Sequence, residues 1–245
     1  MKWRVTLMLL VLLLPLTAQA QGLPTITLGI GEATEPAQVS TALQILILLT
    51  ILSVAPAILL MTTAFTRIVI VLSFVRQAMG TQQAPSNQIV VGLALFLTFF
   101  IMAPVFTQIN DEALQPYLNE EISQQDAVPL ALEPMRNFMF SQVGEKDLQL
   151  LVDISGAEQP ETMEDIGMLT LIPAFMLSEL KRAFQMGFLL FVPFLMIDMI
   201  VASILMAMGM MMLPPIIVSL PFKILLFVLV DGWSLVVSSL VQSFG

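Results

Sequence analysis

Ala183 to Leu213 reads AFQMGFLLFVPFLMIDMIVASILMAMGMMML, an apolar run interrupted only by Gln185, Pro193 and Asp198. Roughly 20 such residues are what a helix needs to cross ~30 Å of hydrocarbon, and a soluble helix would need a polar face that this stretch lacks. Similar runs lie at Leu43 to Phe65, broken by Pro56, at Gln88 to Ile109, and from about Ile216 to Val241 beyond Pro214-Pro215. The first of them continues through IVIVLSF toward Arg67 and Arg76, a basic exit. Four spanning segments are the simplest count. The expected fold is all-α: a multi-helix membrane protein with helical hairpins and broken helices. Composition agrees, with 58% apolar residues, only 11% charged and a mean hydropathy of +0.94, because a water-soluble core of this size would need a far more charged surface.

Outward from these runs the chain divides into five stretches. Residues 1–20 have the form of a signal peptide: Lys2 and Arg4 precede an apolar run from Val5 to Leu16, and Ala18-Gln19-Ala20 supplies small residues at the cut. The alternative is an uncleaved first helix, but the run is too short to span. Residues 21–41 form a polar N-terminal segment, 42–110 a first membrane helix block, and 166–245 a second block with a Met-rich hairpin loop. Between them, 111–165 carries thirteen Asp or Glu against only Arg136 and Lys146. Short helical patterns such as LEPMRNFMFSQV, punctuated by Pro and Gly, suggest a small helical insert. Arginines between the first two segments put that connection in the cytoplasm by the positive-inside rule, so the acidic insert is expected in the periplasm and the chain in the bacterial inner membrane.

The charges within the second block do not suit a plain four-span protein. Lys181 and Arg182 fall on the wrong side for the positive-inside rule, and Asp198 lies mid-run, where a lone carboxylate costs at least ~2.5 kcal/mol. Pro56, Pro104, Pro173, Pro193 and Pro221 all sit within apolar runs. Freed carbonyls there are tolerated against other protein or water, not against lipid. Asp198 could instead simply be protonated or face a neighbouring helix. If the hairpin turns near Met211, Asp198 and Lys223 stand on its two arms at matched depth. Lys223 is expected to pair with Asp198 within the hairpin or with Glu179 across a subunit boundary. Glu179, Lys181, Asp198 and Lys223 are thus the residues expected in inter-helix or inter-subunit ion pairs.

With no Cys and no His, thiolate chemistry and imidazole-based metal or acid–base sites are absent. No catalytic, cofactor-binding or metal site is expected, nor a nucleic-acid footprint. The unusual composition is in methionine: MAMGMMM, Met206 to Met212, holds five of the chain's eighteen. A Met stripe is often core filler. This one contains Gly209 and abuts Pro214-Pro215, which points to a helix end, where filler is least needed. Met206, Met208, Gly209, Met210, Met211 and Met212 are therefore the candidate gasket, since unbranched thioethers re-pack without directional bonds.

Two long strings carry a family resemblance: FTRIVIVLSFVRQAMGTQQAPSNQIVVGLALFLTFF, from Phe65 to Phe100, and LIPAFMLSELKRAFQMGFLLFVPFLMIDMIVASILMAMGMMMLPPIIVSLPFKILLFVLVDGW, from Leu171 to Trp233. They closely resemble the FliP family of the flagellar type III export gate. The resemblance implies about five copies assembled with one FliR and four FliQ at the centre of the flagellar basal body, forming a channel for unfolded flagellar proteins. It implies that much of the helical cone stands above the bilayer plane, and that Met210, Met211 and Met212 form a constriction sealing the closed gate against ions. The related injectisome proteins of the SctR type share the membrane blocks but generally lack a cleaved signal peptide, so the flagellar branch is favoured. Two other classes compete with this one. A small-molecule or ion transporter would use Asp198, Glu179 and Lys223 as a relay, but would usually show internal repeats, and none is found. An intramembrane enzyme would want two carboxylates at matched depth, whereas Asp198 and Asp231 lie at unequal distances from the turn. No Walker-type phosphate loop is present.

Overall fold

The computed structural model describes residues 36–81, 84–156, 160, 162–210 and 212–245, with the side chains of 36–42 and 164 left aside. The expected signal peptide lies outside the described residues, as do Met211 and all but the end of the polar segment. Nine α-helices and no strand occur among the described residues: α1 Pro36–Met61, α2 Phe65–Ala78, α3 Asn87–Ile109, α4 Gln115–Leu118, α5 Gln124–Gln142, α6 Glu145–Ser155, α7 Met168–Ala207, α8 Pro215–Leu229 and α9 Gly232–Gln242. The described residues fall into two units, one ending at Leu49 and the other running from Thr50 to Gly245. In the first, the end of α1 up to Leu49 exposes Leu46, Ile47 and Leu48.

The second unit is built on α2. Its buried residues Ile68, Val71, Leu72, Val75 and Ala78 recur at three- and four-residue spacing, one face of a helix. That face meets α3 and α7. The expected continuous first span is thus two helices. Thr62, Thr63 and Ala64 form a buried break between them; the Thr62 hydroxyl returns to the Ile58 carbonyl at 3.0 Å and that of Thr63 to Leu60 at 3.1 Å, so the threonines satisfy carbonyls that the ending helix orphans. Helix α3 buries Val90, Ala94, Thr98 and Met102, a four-residue repeat, and exposes Phe96, Phe99 and Phe100. A π turn, Asn110–Leu114, joins it to α4. Pro116 has no N–H to return to Glu112, and the wider turn just before it absorbs the misfit.

Three stretches are long and apolar enough to cross a membrane: Leu43–Met61, Asn87–Leu118 and Met168–Ala207. A fourth crossing results if α8 and α9, bent by 63° at Val230-Asp231, count as one. The single last helix expected from Ile216 to Val241 is therefore broken. Lys181-Arg182 do not interrupt α7, which runs forty residues through them. The insert is helical, and it is not free-standing: Met139 of α5 and Ile166 pack with Leu171 and Phe175 of α7 in a second core. Gly187 is what lets α2 lie so close to α7, since a Cβ there would run into the ring of Phe74.

Candidate functional site

The α7–α8 hairpin carries the first cluster. Asp198 sits on α7 and Ser219 and Lys223 on α8, the last two one turn apart and both buried. Lys223 Nζ donates to Asp198 Oδ2 at 2.5 Å, and the Ser219 hydroxyl donates to Asp198 Oδ1 at 2.5 Å. Both carboxylate oxygens are occupied. The side chains are 4% exposed for Lys223 and 22% for Asp198, so the pair meets protein on most sides. A cavity of about 560 Å³ opens beside it, lined also by Ser73, Arg76, Gln77 and Thr81. Of the two partners expected for Lys223, the structure brings it to Asp198.

Glu179 has a different partner, which sequence reasoning missed. Arg67 and Glu179 are both fully buried. Arg67 Nε donates to Glu179 Oε2 at 2.9 Å and Nη2 to Glu179 Oε1. Nη2 also reaches Gln142 Oε1 at 3.0 Å, and Nη1 reaches the Ser243 carbonyl at 2.7 Å and hydroxyl at 2.9 Å. All five guanidinium N–H groups are thereby used. The ring of Phe244 lies 3.7 Å from Cζ. One side chain so ties α2 to α5, α7 and the residues after α9. Arg67 is no basic exit, because the helix break at Thr62–Ala64 turns it inward where Glu179 waits.

Lys181 pairs with Asp147 of α6 at 3.6 Å, and Arg182 donates to Gln142 of α5 at 3.0 Å. Ser178 joins the same seam, accepting from Gly144 N at 2.9 Å and donating to Asp147 Oδ2 at 2.8 Å. These cations hold the acidic insert rather than a loop at a membrane face.

The bend itself closes with a Gly-dependent helix stop. Gly209, at φ +76°, donates to the Met206 carbonyl at 3.0 Å, and Met210 N donates to Leu205 O at 2.9 Å, the paired bonds of a Schellman motif. Pro215 then opens α8 as its first residue, where no N–H is needed. Met206, Met208 and Met210 are 61%, 59% and 39% exposed and Met212 is 99% exposed. Among the described residues none fully covers them.

Apolar spans, two buried ion pairs and a methionine-tipped hairpin define an all-α membrane protein whose polar groups are satisfied by protein. Residues 48–240 match the model of the FliP family. A flagellar biosynthetic protein FliP of Bacillus subtilis (strain 168) is 57% identical over 217 residues, covering 89% of this chain and 98% of its own. One from Caulobacter vibrioides is 49% identical over 232 residues, 95% of this chain and 86% of its own; that of Aquifex aeolicus is 49% identical over 224 residues, 91% and 92%. The chain belongs to the FliP family, and is a membrane-embedded protein of flagellar biosynthesis.

Proposed function

We propose that this chain is a core subunit of the flagellar type III protein export gate. About five copies, with FliR and FliQ, close an oligomeric channel in the inner membrane at the flagellar basal body, and unfolded flagellar proteins leave through it. The acidic insert faces the periplasm. The chain carries no catalytic step, cofactor or metal of its own, and lipid is its other neighbour.

The exposed methionine bend is the observation that carries this reading. Apolar thioethers left bare by a lone chain are covered by something else in the working assembly. Set around a common axis, the side chains of Met206, Met208, Met210, Met211 and Met212 close on one another and re-pack around a passing polypeptide, because they are unbranched and make no directional bonds. Gly209 supplies the left-handed turn that presents them. A transporter relay is less well supported: Glu179 is fully buried against Arg67, and among the described residues no hydrogen bond joins it to the Asp198–Lys223 pair.

Replacing Met210, Met211 and Met212 together by Ala in cells overproducing the assembly tests the seal. Ion leakage across the inner membrane is expected to rise well above that of the unsubstituted assembly. Unchanged membrane integrity, with the assembly present in normal amount, would overturn the gasket.

A further inference from the structure

In the helices outside the insert, six charged side chains are engaged: Arg67 with Glu179, Asp198 with Lys223, Lys181 with Asp147 and Arg182 with Gln142. Two of opposite sign are left. Among the described residues neither Arg76 nor Asp231 has a side-chain hydrogen bond or ion pair. Arg76 is half-buried at the end of α2. It lines the cavity of about 560 Å³ whose other fixed charges are Asp198 and Lys223. The cavity therefore holds two cations against one carboxylate, and has room for an anionic group.

Asp231 is the complementary leftover. It stands exposed at the elbow where α8 and α9 bend by 63°, with φ +51°. Asp is a favoured residue at a helix start because its oxygen caps the first amides, yet this carboxylate makes no cap bond to α9. It neither caps nor pairs, and points its charge to whatever lies outside the chain. Leu72 and Trp233 line one cavity. Arg76 lies one turn beyond Leu72 on α2, and Asp231 two residues before Trp233 at the elbow.

We propose that Asp231 of a second copy of this chain enters this cavity and pairs with Arg76. The pairing rests on the multi-copy reading given above. It neutralises the excess positive charge and removes an exposed carboxylate from a surface that is otherwise apolar, with Leu225, Val228, Leu229 and Leu235 exposed around it. Repeated head to tail, such a contact joins each copy to the next around the assembly.

The sequence contains no cysteine, so a chain carrying Arg76→Cys and Asp231→Cys, produced with its partner subunits and oxidised in membranes, reports the contact directly. A ladder of covalent multimers is expected, rising to the number of copies in the assembly and collapsing on reduction, while each single-cysteine chain stays monomeric on the denaturing gel. A link within one chain overturns the pairing, as does the absence of a ladder while the complex keeps its native mass; both leave the multi-copy reading standing. A single copy in the purified unsubstituted complex overturns that reading itself, and the pairing with it. If the double-cysteine chain fails to assemble, charge exchange decides. Arg76→Asp and Asp231→Arg should each lower the yield of multimer severalfold and together restore it; no restoration overturns the proposal.

Discussion

At the scale of single residues, the buried charges set the strongest constraints. Arg67 and Glu179 have given up water completely, and such a pair gains little net stability over an apolar one while tolerating no half-removal. Glu179→Leu strands a guanidinium in the core and is expected to cost about 3–5 kcal/mol. The double variant Arg67→Leu/Glu179→Leu should recover part of that loss, since no charge is left unmatched. Thermal unfolding of the purified complex in detergent gives both values, and simple addition of the two single losses would contradict the coupling. The sequence disclosed only some of this. Asp198 and Lys223 are legible because their distances from the Met-rich turn match, a local relation within one hairpin. Arg67 is not: its partner lies 112 positions away, and an arginine after an apolar run reads naturally as a loop charge. The threonine pair that breaks the helix before it is a weak signal, since Thr is tolerated inside helices as well.

At the scale of elements, the apolar runs foretell helices but not where they stop. Proline alone is a weak cue to a stop: Pro56, Pro104, Pro173, Pro193 and Pro221 all lie inside helices that continue past them, since neighbouring helices and local adjustment re-satisfy the freed backbone groups, whereas Pro214-Pro215 does mark the start of α8. Gly209 stops α7 as its backbone freedom predicts. Gly187 acts differently, through size. It sits where α2 crosses α7, and the ring of Phe74 occupies the space a side chain would need. Gly187→Leu must push the two helices apart, and overpacking of this kind costs typically about 1–3 kcal/mol. Because α2 is the centre of the larger core, the loss should appear as a lower unfolding temperature of the complex, and Phe74→Ala should relieve part of it. A leucine at 187 without effect on stability would mean that α2 and α7 do not depend on this close approach.

For the whole molecule, α7 poses a problem of length. Its forty residues extend ~60 Å at 1.5 Å per residue, about twice the hydrocarbon thickness. Even at a tilt of ~40°, the upper end for membrane helices, it would stretch over ~46 Å. Part of it must leave the hydrocarbon, and the structure shows which part has other company: the first half, from Leu171 to Arg182, packs on the insert and uses Ser178, Lys181 and Arg182 to hold it. Hydropathy alone could not reveal this, because lipid and sister subunits select the same apolar side chains. The exposed residues Leu180, Phe184, Phe188, Met199, Ile204 and Met206 make the division measurable. Replaced one at a time by cysteine in the assembled complex and carrying a photoreactive label, they should cross-link to lipid only within one contiguous belt of roughly 20 residues. The remaining positions should instead cross-link to protein, since they are as apolar as the belt and must be covered. Lipid adducts along all of α7 would place the helix wholly in the membrane. Sister copies would then have no share in burying it, and the exposed methionines at its end would lose the neighbours that the proposed channel requires.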